Sequence, residues 1–107
     1  SAESAERQAH RLADLPAMER DLSAIVREDV PWRTLSMIVH GLQLQWLEAV
    51  DFVTVWRGKG VPEGHKSVTM RLRFRDDQRT LTREDVEPLM QQTTQALQSE
   101  VDAEIRS

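Results

Sequence analysis

The stretch Ser67-Val68-Thr69-Met70-Arg71-Leu72-Arg73-Phe74-Arg75 alternates strictly between polar and apolar side chains. Successive side chains of a strand point to opposite faces. Val68, Met70, Leu72 and Phe74 therefore share one face, and Ser67, Thr69, Arg71, Arg73 and Arg75 the other. A slip of one residue would bury three arginines, so the register is strongly determined. The segment reads as a half-buried strand with one wet, basic side.

Working outward, Asp21 to Arg27 also alternates, with Leu22, Ala24 and Val26 opposite Asp21, Ser23, Ile25 and Arg27. Pro31 stands where a helix can start. Leu35, Ile38, Val39 and Leu42 follow at i, i+3, i+4 and i+7, the spacing of an amphipathic helix. Leu47 to Arg57 is β-branched and aromatic and reads as a second strand. Gly58 to Gly64 is a flexible connection by composition. Asp76-Asp77 falls in a turn, where aspartate serves the backbone. Thr82-Arg83-Glu84-Asp85 reads as a helix N-cap with acids in the first turn. Val86, Leu89, Met90, Thr93, Leu97 and Val101 continue at helical spacing, with Pro88 as a point of kinking or delayed start. The tail 103–107 suits a short terminal strand. Residues 1–14 are polar and Ala-rich and read as a flexible lead-in, cut off by Pro16, ahead of one domain over 15–107.

The order β-α-β-β-α-β predicts an α+β, ferredoxin-like fold. Both helices would cover one face of a four-stranded antiparallel sheet and leave the other face open.

Composition narrows the function. The chain has 107 residues, 39% apolar and 30% charged, as a single globular domain would. It has no cysteine, which excludes disulfides, thiol chemistry and thiolate metal sites. The longest uncharged run, Thr34 to Leu47, is too short to span a bilayer. A net charge of -4 argues against a freestanding, strongly basic nucleic-acid binder. Yet six Lys/Arg stand against two acids between residues 66 and 83, a concentration the fold could present as a patch.

Catalytic patterns are missing. His10, His40 and His65 are far apart and share no ligand spacing with acids. His40 reads as a helix-flank residue and His65 as a solvated loop residue. Gly58-x-Gly60-x-x-x-Gly64 lacks the dinucleotide spacing, and a strand follows where a phosphate-binding helix would be needed. Of the tryptophans, Trp32 would pack against the helix it opens and Trp46 would join the core. Trp56 shares the Thr54 side of its strand, either packing over the strand end or offering a stacking platform to an unpaired base.

The segment Val53-Thr54-Val55-Trp56-Arg57-Gly58-Lys59-Gly60-Val61-Pro62-Glu63-Gly64-His65-Lys66-Ser67-Val68 closely resembles "FDVYRGxGxPxGxKSL". That segment belongs to the C-terminal ferredoxin-fold anticodon-binding domain of bacterial phenylalanyl-tRNA synthetase beta subunits. Leu72 to Thr82 is similar to the family's "LTFRDPERTLT", and Leu15 to Ser23 to its "FPAVRRDLS". The resemblance runs from about residue 15 to the end.

The resemblance implies a tRNA-binding module of a cytoplasmic α2β2 enzyme. That parent joins phenylalanine to its tRNA with ATP and magnesium, and its catalytic residues lie on the alpha subunit. The module would hold the anticodon stem-loop and catalyse nothing itself. By motif position, Trp56 takes the aromatic position that stacks on a base. Thr54 replaces the family's aspartate, whose carboxylate can accept from both donors of a guanine edge; a hydroxyl cannot match it. Ser67, Ser23 and Arg106 fall at further contact positions of the family. Thr69 and Arg71 share the same side of their strand, and Arg71 is favoured over Arg75, which stands at the strand end. Two other readings remain: a protein-interaction or small-ligand regulatory domain on the same fold, and a paralogue in which Thr54 marks lost anticodon reading.

Overall fold

The computed structural model describes residues 15–106; the lead-in expected over residues 1–14 lies outside them. The elements follow as β1 (Met18–Arg27), α1 (Trp32–Gly41), β2 (Leu47–Trp56), β3 (His65–Phe74), α2 (Arg83–Val101) and β4 (Glu104–Arg106). The strands form one antiparallel sheet in the order β2-β3-β1-β4. This is the ferredoxin-like α+β arrangement expected from the element order.

β3 lies between β1 and β2, and its alternation is realised in burial. Val68, Met70, Leu72 and Phe74 are buried, while Ser67, Thr69, Arg71 and Arg73 are half-exposed. Leu22, Ala24 and Val26 of β1 share the buried side. Leu35 and Val39 of α1 and Val86, Met90 and Leu97 of α2 complete the same cluster. Both helices therefore pack on one face of the sheet.

β1 begins three residues before the alternating run, at Met18. Arg20 obscures the pattern there. It pairs with Leu72 on the helix side, and its Nη1 donates to Glu87 of α2 at 2.8 Å. A cation on the apolar face is thus accommodated by a carboxylate from the covering helix. Arg20 also holds the Glu87 carboxyl below the usual range.

α2 carries the expected cap. The Asp85 N–H donates to Thr82 Oγ1 at 3.3 Å, and the Thr82 N–H donates to the Asp85 carboxylate at 2.8 Å. This reciprocal box satisfies two otherwise unpaired donors. Arg79 adds two hydrogen bonds to the same carboxylate, holding it far below the ordinary aspartate value, and also sits 5.6 Å from the Trp46 ring. The helix runs through Pro88. The carbonyl deprived of its partner there belongs to Glu84, in the exposed first turn, which is open to solvent. Buried Thr93 donates its hydroxyl to the Leu89 carbonyl at 2.9 Å.

Two aromatic expectations are refined. Trp32 meets Phe52 of β2 edge-on, with centroids 5.7 Å apart, so it ties α1 to the sheet. Trp46 has φ 66° and is packed against the core cluster. His65 opens β3 instead of lying in the loop, with Nδ1 3.1 Å from the Glu63 carbonyl. The turn role of Asp76 is seen in its Oδ1, which accepts from the Gln78 N–H at 3.0 Å. Among the described residues, no helix is long and apolar enough to cross a membrane.

Candidate nucleic-acid interface

Among the described residues, no helix packs on the second face of the sheet. Three cross-strand rows of side chains build it. Trp56 stands beside Ser67, and Ser67 beside Ile25. One step along the strands, about 7 Å away, Thr54, Thr69, Ser23 and Arg106 line up across all four strands. A further step brings Asp51, Arg71 and Asp21.

β2 reaches this arrangement through an irregularity. Phe52 pairs with Met70 on the helix side, but Thr54 pairs with Thr69, so the register shifts at Val53. Strict alternation from Phe52 would have sent Thr54 and Trp56 toward the helices. The extra residue turns both onto the open face, as β-bulges re-aim side chains. Simple alternation across Val53, Val55 and Trp56 identified the correct face for Trp56 but missed this shift.

The sequence-derived candidates are thus brought together, in different chemical states. Trp56 is 56% exposed. Its indole Nε1 donates to the Lys59 carbonyl at 3.1 Å, so its N–H is satisfied and its ring remains to interact. Gly58 lies beside the indole at φ 124°, a conformation that favours glycine, and a Cβ there would be in ordinary contact with the ring at 3.6 Å. Ser23 and Thr69 share a hydrogen bond of 2.7 Å between their hydroxyls, with Thr54 next in the row. Hydroxyls both donate and accept, so this row can meet either kind of base-edge group. Ile25 is 3% exposed although it faces away from the helices, and it stands outside the core cluster.

Arg71 is engaged. Its Nε and Nη2 donate to Asp21 at 2.8 and 3.0 Å in a bidentate pair. The guanidinium hydrogen bonds hold the Asp21 carboxyl below its usual range, and the carboxylate raises the Arg71 pKa in turn. The charge of Arg71 is offset locally, while its Nη1 makes no hydrogen bond among the described residues. Arg106 is more fully committed. Nε and Nη2 donate to Glu104 at 3.0 and 2.8 Å, and Nη1 donates to the Gly60 carbonyl at 3.2 Å. It fastens the β2–β3 loop to β4. Arg75, at the end of β3, donates to Glu48 at 3.1 Å and to the Leu15 carbonyl.

The β2–β3 loop has an ordered anchorage that composition alone did not predict. The Val61 N–H donates to Gly58 O at 3.0 Å, and the Glu28 N–H to Gly64 O at 2.9 Å. Glu28 also accepts from Arg57 and lies 3.7 Å from Lys66, and these cations depress its pKa, Arg57 foremost. Sequence reasoning missed Glu28 and Asp21 as partners, because pairing across 29 and 50 residues is visible only in the folded chain.

Among the described residues no group of three or more His, Cys, Asp or Glu could hold a metal ion. The site presents an aromatic ring, a row of hydroxyls and locally balanced charge, which suits stacking and hydrogen bonding.

The chain is similar to the phenylalanine–tRNA ligase beta subunit of Syntrophotalea carbinolica, 36% identical over 95 residues, which is 89% of this chain. It is also 34% identical to the like-named subunit of Clostridium acetobutylicum over 95 residues, and 36% identical to that of Xylella fastidiosa over 99 residues. In each case the match spans 12% of the relative's length. Residues 13–106 match the ferredoxin-fold anticodon binding domain, and the chain belongs to that family.

Proposed function

We propose that this chain binds tRNA, holding the anticodon stem-loop of a phenylalanine tRNA on the open face of its sheet. It would do so as part of a phenylalanine–tRNA ligase beta subunit in the cytoplasm. ATP, magnesium and aminoacylation belong elsewhere in that enzyme, which the alpha subunit completes. Family membership and the names of the relatives support the partner. The observation that carries the reading is the exposed indole of Trp56 beside a continuous row of hydroxyls, on a face that no helix covers among the described residues. Unpaired bases stack on such rings and present their edges to neighbouring polar groups.

Ser23, Thr54, Ser67 and Thr69 act as base-edge partners in this reading, and Arg71 as a donor held in place by Asp21. Arg106 serves by holding the loop. Stacking dominates, because the face carries little net charge and the phosphate-dependent part of binding is small. The test is titration of the chain with the phenylalanine-tRNA anticodon stem-loop at low salt. Trp56→Ala should lose about 1–3 kcal/mol of binding free energy. Unchanged binding by that variant would remove Trp56 from the interface and the reading with it.

A second reading rests on β2, an edge strand of the sheet among the described residues, on which Phe52, Val53 and Val55 are exposed. Such an edge can pair with another chain. Concentration-dependent dimerisation of the chain, without RNA binding, would favour an interaction domain.

A further inference from the structure

We infer that Lys59 is the phosphate-binding residue of the open face, pairing with the backbone of the nucleotide that stacks on Trp56. This deepens the proposed RNA reading and rests on it. The observation is a pattern of neutralisation. Arg57 and Lys66 share Glu28, Arg71 faces Asp21, Arg73 lies 3.4 Å from Glu48, and Arg106 holds Glu104. Each cation around the interface thus has a carboxylate within ion-pair distance. Lys59 has none among the described residues. Arg33 and Arg83, which also make no ion pair there, sit on α1 and α2, the helices that cover the other face.

The backbone places Lys59 at the ring. Its carbonyl accepts the Trp56 indole N–H, so its main chain is fixed beside the proposed platform. The loop around it is fastened at Gly60 by Arg106 and at Gly64 by Glu28. An exposed lysine so placed is a point charge on a flexible stem. It can follow a phosphate without demanding one geometry. Ring and cation together make the combination of stacking and backbone neutralisation that single-stranded nucleic acid recognises.

The closing experiment measures binding of the same anticodon stem-loop across a salt series for the native chain, Lys59→Gln, Lys59→Arg and Trp56→Ala. For a single-stranded contact, Lys59→Gln should flatten the log–log salt dependence by about 0.7 and weaken binding about five-fold at 0.1 M salt. Lys59→Arg should keep the native slope. Trp56→Ala should weaken binding and leave the slope unaltered. If Trp56→Ala weakens binding but Lys59→Gln keeps the native slope, the phosphate role is overturned and the RNA reading stands. If neither variant weakens binding, or the native chain does not bind, the RNA reading itself falls.

Discussion

Strand β3 shows two different surfaces within ten residues. Toward the helices it offers Val68, Met70, Leu72 and Phe74, all buried in one cluster with α1 and α2. Away from them it offers Ser67, Thr69, Arg71 and Arg73, held by cross-strand hydroxyl and ion-pair contacts. The covered side is held by area removed from water. The open side is held by local pairing in solvent, which stabilises little. Stability therefore resides on one face, and the other carries no covering helix among the described residues.

The largest effect should come from breaking the covered side. Leu72→Ala should cost about 2–5 kcal/mol in a denaturant titration. Arg71→Ala, one residue away, should shift the midpoint by a small fraction of that. Equal losses would erase the distinction between the faces.

Inserting one alanine between Val55 and Trp56 tests how β2 joins the open side. By alternation from Thr54, the indole should then turn toward the helices. Binding of the anticodon stem-loop should then fall as far as in Trp56→Ala, by about 1–3 kcal/mol. Retained binding would mean that alternation along β2 does not aim the ring.

A smaller effect concerns the helix that covers the core. Thr82→Ala removes the acceptor of the α2 capping box and should cost about 1 kcal/mol in thermal or chemical unfolding. Binding should be unaffected, since the cap lies at the end of a helix on the far face. Loss of RNA binding in this variant would couple the faces in a way the contacts do not suggest.

The least effect should be the pH response of the open side. The Arg71 hydrogen bonds lower the Asp21 pKa from its ordinary value of 3.8. A lowered carboxyl pKa contributes stability that is fully present above 3.8 and is lost as pH falls below it. Asp21→Asn should remove this contribution, making the melting temperature slightly less sensitive to pH in the acid range. An unchanged acid limb would assign that sensitivity to other carboxylates, such as Asp85, which Arg79 and Thr82 also stabilise in its charged form.

Much of the fold is legible locally. The β3 alternation, the i, i+3, i+4 spacing of α1 and the Thr82 cap each rest on contacts within a few residues or on a single periodicity. The start of β1 was obscured because Arg20 breaks the apolar pattern, and its partner Glu87 lies 67 residues on. The candidate site was legible in part. Exposed-side residues of β1 and β3 follow from alternation alone, whereas the face of Trp56 depends on a bulge that only pairing with β3 defines. Arg71 and Arg106 stood out as cations in the sequence, but their states depend on Asp21, Glu104 and the Gly60 carbonyl.

Periodicity and turn chemistry in the chain by itself determined which elements form, their order, and which side of β1 and β3 is apolar. These properties come from backbone geometry and side-chain burial, which act over a few residues. Tertiary structure alone decided the β2 register, the anchorage of the β2–β3 loop, and which charges are neutralised. Those depend on groups brought within hydrogen-bond distance from far apart in the chain, and electrostatic pairing is set by separation in space.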